Sequence, residues 1–549
     1  MEHMASFLEI LSARIQAATG MDPELRASTK PAFGHYQCNA ALRKAAADGR
    51  KPREIAQEIV ASLDMSDLCE PLEIAGPGFI NIRIRPDRLG QAVCAQLADP
   101  HCGITQAATP TTVVIDYSAP NVAKPMHVGN LRSTIIGDCL VRVLRMIGNT
   151  VIPQNHIGDW GTQFGMLVEE ILAEGTDTST LTLESSVELY KRAQVHFRED
   201  ESFAEAARNR VVLLQSGDSE TLDVWQTLID VSKVRFNRAY GRLGVLLTDD
   251  HLAGESIYNS MLADVAKDLE KAGIATLDAG ALCVFLEEDE APLIVRKSDG
   301  GYGYSATDLA AIRYRVDTLK ANRIIYVVGS PQAHHFSQVF ATARKAGWLP
   351  DEVIAEHVAF GSVLGSDGKM FKTRDGKAVT LDTLLDAAEE VASCEVAMAA
   401  VKYADLSNAL HKDYVFDVNR MTASIGDTGP YLQYAHARVS QILRRAEADG
   451  DVLDDSSTDI ASLIEPEEEH LALLLTRFPE VVAEVAETLQ PHKLCGYLFD
   501  LATQLSSFYE QCPVLRSDER PSRLVLCRAT QRVLATVLDL LGIHAPVTM

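Results

Sequence analysis

Apolar and polar positions follow three rhythms along the chain. In the first, Phe7, Leu8, Ile10, Leu11 and Ile15 share one helical face. PREIAQEIVASL continues that helical pattern, and IAGPGFINIRI reads as a turn followed by an alternating strand. Residues 1–108 therefore predict a small α+β domain.

The second rhythm is a nearly unbroken apolar run. TTVVIDY (Thr111–Tyr117) has the pattern of a strand buried on both faces, as in parallel sheets. After the loop SAPNVAKPMHVGN, a helix is marked by Ile135, Ile136, Cys139, Leu140, Val143, Leu144 and Ile147 and stopped at Gly148-Asn149. A further strand at 150–153 completes the opening of a doubly wound parallel sheet. Its second half is expected in NRIIYVVGS (322–330) and EHVAFGSVLG (356–365). A helical insertion lies between, closing with a strand pair in ALCVFLEE and APLIVRKSDGGYGY. The third rhythm, amphipathic helices, runs from about 380 to the end. An acidic stretch, ADGDVLDDSSTD with EPEEEH, interrupts it and reads as a solvated loop.

Composition narrows the class. The 549 residues are 47% hydrophobic and 23% charged, ordinary for globular protein and unlike disordered or collagenous chains. The net charge of −25 argues against a general polyanion binder, though a local basic face remains compatible with nucleic acid. No apolar run reaches membrane-spanning length, and MEHMASFLEI lacks a secretory pattern, so a cytoplasmic protein without membrane association is expected. The ten cysteines are scattered, with no C-x-x-C pair, and are read as reduced core residues; no structural zinc is expected.

Two segments carry candidate chemistry. Ser118–Asn130 joins a buried strand to a helix, so free N–H groups and the positive helix end face any ligand above the sheet. Gly129 permits close approach and His127 can donate to a phosphate, but Asn130 is equally explained as an N-cap and His127 as a satisfied polar residue. GSDGKMFKTRDGK (365–377) is a glycine-flanked cationic loop, equally explained as basic surface.

Occurring together on the two halves of one sheet, these segments resemble the signatures of class I aminoacyl-tRNA synthetases. The HIGH-like motif stands as His127-Val128-Gly129-Asn130 and the KMSK-like motif as Lys369-Met370-Phe371-Lys372. SAPNVAKPMHVGNLRSTIIGD, NHIGDWGTQFGML, FKTRDGKAVTLDTLLDAA, AVKYADLSN and DTGPYLQYAHAR narrow the resemblance to the arginyl-tRNA synthetases. GPGFINIRI resembles their N-terminal additional domain and FYEQCPVL their C-terminal domain, so the likeness spans nearly the whole chain.

The resemblance implies an α/β protein of three parts. Residues 1–108 form the additional domain that meets the tRNA elbow. Residues 109–378 form the Rossmann-like catalytic domain, with its helical insertion at about 166–300. Residues 379–549 form an all-α anticodon-binding bundle. It implies L-arginine, ATP with Mg²⁺ and tRNA(Arg) as substrates and partners, with a monomeric enzyme. It also implies that bound tRNA is needed even for the first step.

The implied arginine pocket consists of Asp116, Ser118, Asn121, Tyr304, Asp308 and Gln332. Tyr304 and Asp308 lie four residues apart and share a helix face, a pairing suited to a guanidinium's donor fork. Without the resemblance, this pair reads as a helix start with a favourable acid. His335 is read either as support for the pocket or as a packed polar residue. Lys124, His127, Gly129, Asn130, Gly361, Val363 and Lys372 would receive ATP, with Lys369 joining the catalytic clamp. Phe79 and Asn81 would meet the tRNA elbow. Tyr431, Tyr434, Arg438, Arg444, Arg445 and Tyr509 would stack on unpaired bases or take phosphates.

Three departures stand out: Asn130 where relatives have a second histidine, Phe371 for the KMSK serine, and the ending PVTM. Asn130 keeps a neutral donor, so activity is expected to survive. A relative delivering arginine to another acceptor and a catalytically weak tRNA-binding protein are the alternative readings.

Overall fold

The computed structural model describes residues 6–28, 33–287, 289, 291–365, 367–369, 379–451 and 463–549, with Leu183 by its backbone alone. The chain divides into two compact units, described separately: residues 107–423 with 541–543, and residues 1–106 with 424–540 and 544–549.

The first unit is built on a parallel sheet. Strand β1 (Thr112–Asp116) leads into helix α1 (Val128–Met146), which returns to β2 (Thr150–Gln154) beside β1. The insertion follows, including the long helix α2 (Ser219–Leu243) and helix α3 (Tyr304–Asp317). The chain then enters β3 (Arg323–Gly329) on the other side of β1, passes through α4 (Ala333–Lys345) and adds β4 (Ile354–Phe360). The order β4-β3-β1-β2 places the change of winding direction between β1 and β3. There the loops at the strands' C-terminal ends diverge and leave a crevice for ligand. The apolar run behaves as its pattern predicts: Val113, Val114 and Ile115 are buried, as are Ile324, Ile325 and Val327 opposite them.

Close packing of α1 on the sheet requires Gly137, where a Cβ would lie 2.3 Å from the Tyr117 ring. Arg132, also on α1, is completely buried. It donates to the carbonyls of Gly361 (2.8 Å) and Lys412 (3.1 Å), pairs with Asp405 at 3.3 Å and lies against the Phe360 and Tyr414 rings.

Three local expectations are corrected. The insertion closes with three antiparallel strands rather than a pair, because Ala275–Asp278 adds to Ala281–Val284 and Leu293–Arg296. The segment after 380 is not purely helical. A two-residue strand β6 (Tyr414–Val415) pairs in parallel with β5 (Val363–Leu364), after helix α5 (Leu381–Glu389) has been completed. Nine of the cysteines are buried, but Cys394 is exposed, and none of the ten forms a disulfide.

In the second unit a four-stranded antiparallel sheet (Leu25–Ala27, Tyr36–Cys38, Glu73–Ala75, Phe79–Ile82) packs with C-terminal helices. Two carboxylates pin them together. Glu480 accepts hydrogen bonds from the Leu8 N–H (3.2 Å) and the Tyr36 hydroxyl (3.0 Å); Glu469 pairs with His35 (2.9 Å) and Arg83 (3.0 Å). The EPEEEH segment is not a solvated loop but opens the helix Pro466–Thr476, and its buried Glu468 pairs with Arg523 at 2.6 Å. Residues 452–462 of the acidic stretch lie outside the described residues. Helix α6 (Gly429–Ala448) and helix α7 (His492–Gln511) carry the aromatic and basic residues singled out above.

Candidate functional site

The loop from β1 to α1 is held in an unusual backbone. Ser118, Ala119 and Ala123 have φ of 72°, 44° and 60°, a region costly for residues bearing a Cβ. At its end His127, rather than Asn130, caps α1: its Nδ1 accepts the Gly129 N–H at 2.9 Å. That bond places the neutral ring's proton on Nε2, facing outward as a donor. Partial desolvation and the charge of Lys124 hold His127 below the ordinary histidine pKa. Asn130 occupies the third helical position. It accepts the His127 N–H at 3.1 Å and donates to the Ser118 carbonyl at 3.0 Å.

The chain just after the cationic segment, at Thr380 and Leu381, meets this corner. The Leu381 N–H donates to the Met126 carbonyl at 2.9 Å, and Thr380 bridges His127. Lys369 is exposed in a turn closed by the Gly365 N–H on its carbonyl (2.8 Å). Met370, Phe371 and Lys372 lie outside the described residues. The Lys124 ammonium sits 5.1 Å from the Tyr190 ring centre. The Gly361 N–H and C=O serve Leu410 and Arg132 instead of facing a ligand, whereas the parallel ladder to β6 turns the Val363 N–H and C=O away from that strand.

In the loop from β1 to α1, Asn121 packs on Gly158 so tightly that a Cβ there would lie 2.3 Å from the Asn121 Oδ1. Tyr304, 66% exposed, stands at the start of α3, edge-on to the ring of His335 at 4.8 Å. His335 Nε2 lies 2.6 Å from the Asp308 carboxylate. Gln332, exposed, precedes α4 in the same corner.

Two expected contacts turn inward. Asp116 is buried and bonded to Arg315 at 2.6 Å, with Arg315 also on Gln154. Ser118 is buried, its hydroxyl between Tyr240 and Thr134 at 2.8 Å each.

Two acids escaped sequence reasoning. Asp159 accepts the Ser256 N–H (2.9 Å) and hydroxyl (2.6 Å), and burial raises its pKa. Burial, with the charges of Asp159 and Asp308 behind it, pushes Glu255 up to about 8. Three carboxylates thus share one partly dry corner, where Glu255 keeps its proton until a cation replaces it. Asp159 lay within the quoted NHIGDWG motif; Glu255 had no local signal.

In the second unit, Tyr434 and Tyr509 are 48% and 39% exposed and flank Arg438, whose guanidinium lies 5.9 and 4.7 Å from their ring centres. Tyr431 is half-buried against Phe499. Arg444 is exposed and donates to the Val547 carbonyl, and with Gln433 and His436 it holds the C-terminal tail. Arg445 is exposed. Phe79 is half-buried; Asn81 is buried, accepts from Gln37 at 3.0 Å and lines a cavity of about 490 Å³ with Gly34 and Arg83.

Known families account for this arrangement in order along the chain. The family described as "Arginyl tRNA synthetase N terminal domain" matches residues 5–84, "tRNA synthetases class I (R), catalytic domain" residues 93–396, and "DALR anticodon binding domain" residues 432–549. The chain belongs to the arginyl-tRNA synthetase family. It is similar to the arginine–tRNA ligase of Cutibacterium acnes, 59% identical over 99% of this chain and 100% of that one. The ligase of Thermobifida fusca is 49% identical over the full length of both. Among solved structures, the arginyl-tRNA synthetase of Plasmodium falciparum superposes with a TM-score of 0.86 at 28% identity, covering 100% of each chain. That of Thermus thermophilus gives 0.80 at 25%, covering 98% and 99%. The parallel-sheet class I fold, with its N-terminal and C-terminal helical parts, is thus common to this synthetase family and to the chain.

Proposed function

We propose that this synthetase-family chain joins L-arginine to tRNA(Arg) in two steps. The arginine carboxylate attacks the α-phosphate of ATP, presented with Mg²⁺ as the substrate complex, and pyrophosphate leaves. The terminal ribose hydroxyl of tRNA then attacks the adenylate carbonyl, and AMP leaves. The observation that carries this reading is a pair of features in one compact unit, the acid corner of Asp159, Glu255 and Asp308 and the His127-capped start of α1. The first suits a guanidinium, the second a polyphosphate.

Asp308, Glu255 and Tyr304 take the guanidinium, while Asn121 and Gln332 orient the amino-acid head group. Asp116 and Ser118 support these residues from beneath. His127 Nε2, Lys124 and the Val363 backbone receive ATP, with Gly129 permitting its close approach, Asn130 fixing the corner and Lys369 and Lys372 supplying positive charge to the leaving phosphates. No side chain forms a covalent intermediate; catalysis is positioning and charge stabilisation. A neutral side chain would leave Glu255 without a counter-charge, which rejects neutral amino acids without editing. Tyr434, Arg438 and Tyr509 stack on unpaired bases, aided by Tyr431 and Arg445, and Phe79 with Asn81 meets the elbow. The modules 1–108, 109–378 and 379–549 divide these tasks. The chain works in the cytoplasm, a reading favoured by ten cysteines that form no disulfide, and as a monomer, which light scattering tests.

ATP–pyrophosphate exchange with a panel of amino acids, with and without tRNA, tests the reaction. Exchange for arginine alone, only with tRNA present, is expected. Exchange without tRNA points to another acceptor, and none from folded protein overturns the reading.

A further inference from the structure

Helix α2 of the insertion has no place in the chemistry above, yet one of its faces reaches the site repeatedly. Trp225, Ser232 and Tyr240, spaced seven and eight residues apart, lie along a single stripe. Trp225 Nε1 donates to the Asp159 carbonyl at 2.8 Å. Ser232 Oγ accepts the Ala123 N–H at 2.9 Å. The Tyr240 hydroxyl meets Ser118 Oγ at 2.8 Å and accepts from Asn155 Nδ2 at 2.8 Å, while Asn155 Oδ1 accepts the Ala119 N–H at 3.0 Å.

These partners coincide with the loop's strained backbone. The three non-glycine residues with positive φ, Ser118, Ala119 and Ala123, are the ones bonded to Tyr240, to Asn155 and to Ser232. Strain of this kind persists only where surrounding structure over-determines it. The Ser118 carbonyl is also where Asn130 donates, so the twist at 118 sets the corner holding His127. At the end of the same helix, Arg242 pairs with Asp386 (2.8 Å), Glu389 (3.1 Å) and Asp382 (3.5 Å) on α5, the helix that follows the lysine segment.

We propose that Tyr240 and Ser232 are positioning residues that hold loop 118–123 in its strained form, and that Arg242 makes α2 the rigid link between that loop and α5. The consequence for catalysis rests on the proposed adenylate reaction; the claim about the backbone does not.

Tyr240→Phe and Ser232→Ala keep the packing and remove only the hydroxyls. In hydrogen exchange on the full chain, the Ala119 amide in Tyr240→Phe and the Ala123 amide in Ser232→Ala should exchange at least about tenfold faster, with β1 unchanged. Unchanged protection at both amides overturns the proposal whether or not the protein turns over. In arginine-dependent exchange with tRNA, Tyr240→Phe should lower kcat by about tenfold or more, leaving the KM for ATP and arginine nearly unchanged. The titratable fraction of active sites should stay at the parent level. A kcat loss fully matched by fewer titratable sites would mean simple misfolding and overturns the positioning role. Absence of exchange in the parent fails the proposed function instead, and the amide readout still decides. Combining Tyr240→Phe with Arg242→Gln should give a non-additive kcat loss; additive effects overturn the link to α5.

Discussion

The Asn130 side-chain amide donates to the Ser118 carbonyl at 3.0 Å, tying the first turn of α1 to a backbone residue with φ of 72°. The position where the HIGH-like motif leads one to expect histidine is thus a brace between loop and helix, made by one neutral donor and one neutral acceptor. Asn130→His, which can offer both from a neutral ring, should leave pyrophosphate exchange within about threefold of the parent. Asn130→Asp sets a carboxylate against a carbonyl and should lose about a hundredfold in kcat. A large gain in Asn130→His would show instead that the corner is degenerate.

With Glu255 taking the guanidinium as proposed, arginine binding should depend on pH. With its carboxyl at about 8, binding a guanidinium below that pH must release a proton. Arginine affinity should therefore rise by up to about tenfold per pH unit from pH 6 towards 8 and then level off. Calorimetry in buffers of different ionisation enthalpy should register the proton. Glu255→Gln should abolish the slope and weaken binding by about 1.5–3 kcal/mol. The folded value lies above the ordinary 4.5, so between the two the folded state holds a proton that the unfolded chain has lost. Without arginine, stability should fall as pH rises from about 4.5 to about 8; a melting-temperature series over that range checks the sign.

The two arginines on α6 should behave differently towards tRNA. Arg438 stands between exposed tyrosines, so Arg438→Ala should weaken binding about tenfold and reduce the salt slope by about 0.7–1. Arg444 is bonded to the Val547 carbonyl, so Arg444→Ala should leave the slope unchanged. Filter binding across a salt series separates them; a reduced slope for Arg444→Ala would return it to the phosphate interface.

Arg132 is a test of stability alone. It joins α1 to the carbonyls before β5 and after Leu410, with Asp405 as its buried counter-charge. Burial already raises the Asp405 pKa despite the guanidinium. Arg132→Met would strand that carboxylate and should cost about 3–5 kcal/mol. Denaturant unfolding measures the loss, and the companion change Asp405→Asn should recover part of it.

By itself the sequence determined the features carried by local order. TTVVIDY could satisfy its apolar faces only as a buried strand, HVGN had to open the following helix, and Tyr304 with Asp308 had to share a face. Tertiary structure decided what those residues meet. Asp116 faces Arg315 from 199 positions away, and Asp159 meets Ser256 from 97 away, so no periodicity announces either pair. The two-residue strand β6 forms only because β5 offers an edge, and His127 takes the cap that Asn130 would suit because the strained loop delivers its ring there. Local patterns record propensity and burial, which act on each segment alone; a carboxylate pushed to about 8 records the desolvation and charge that several distant segments impose together.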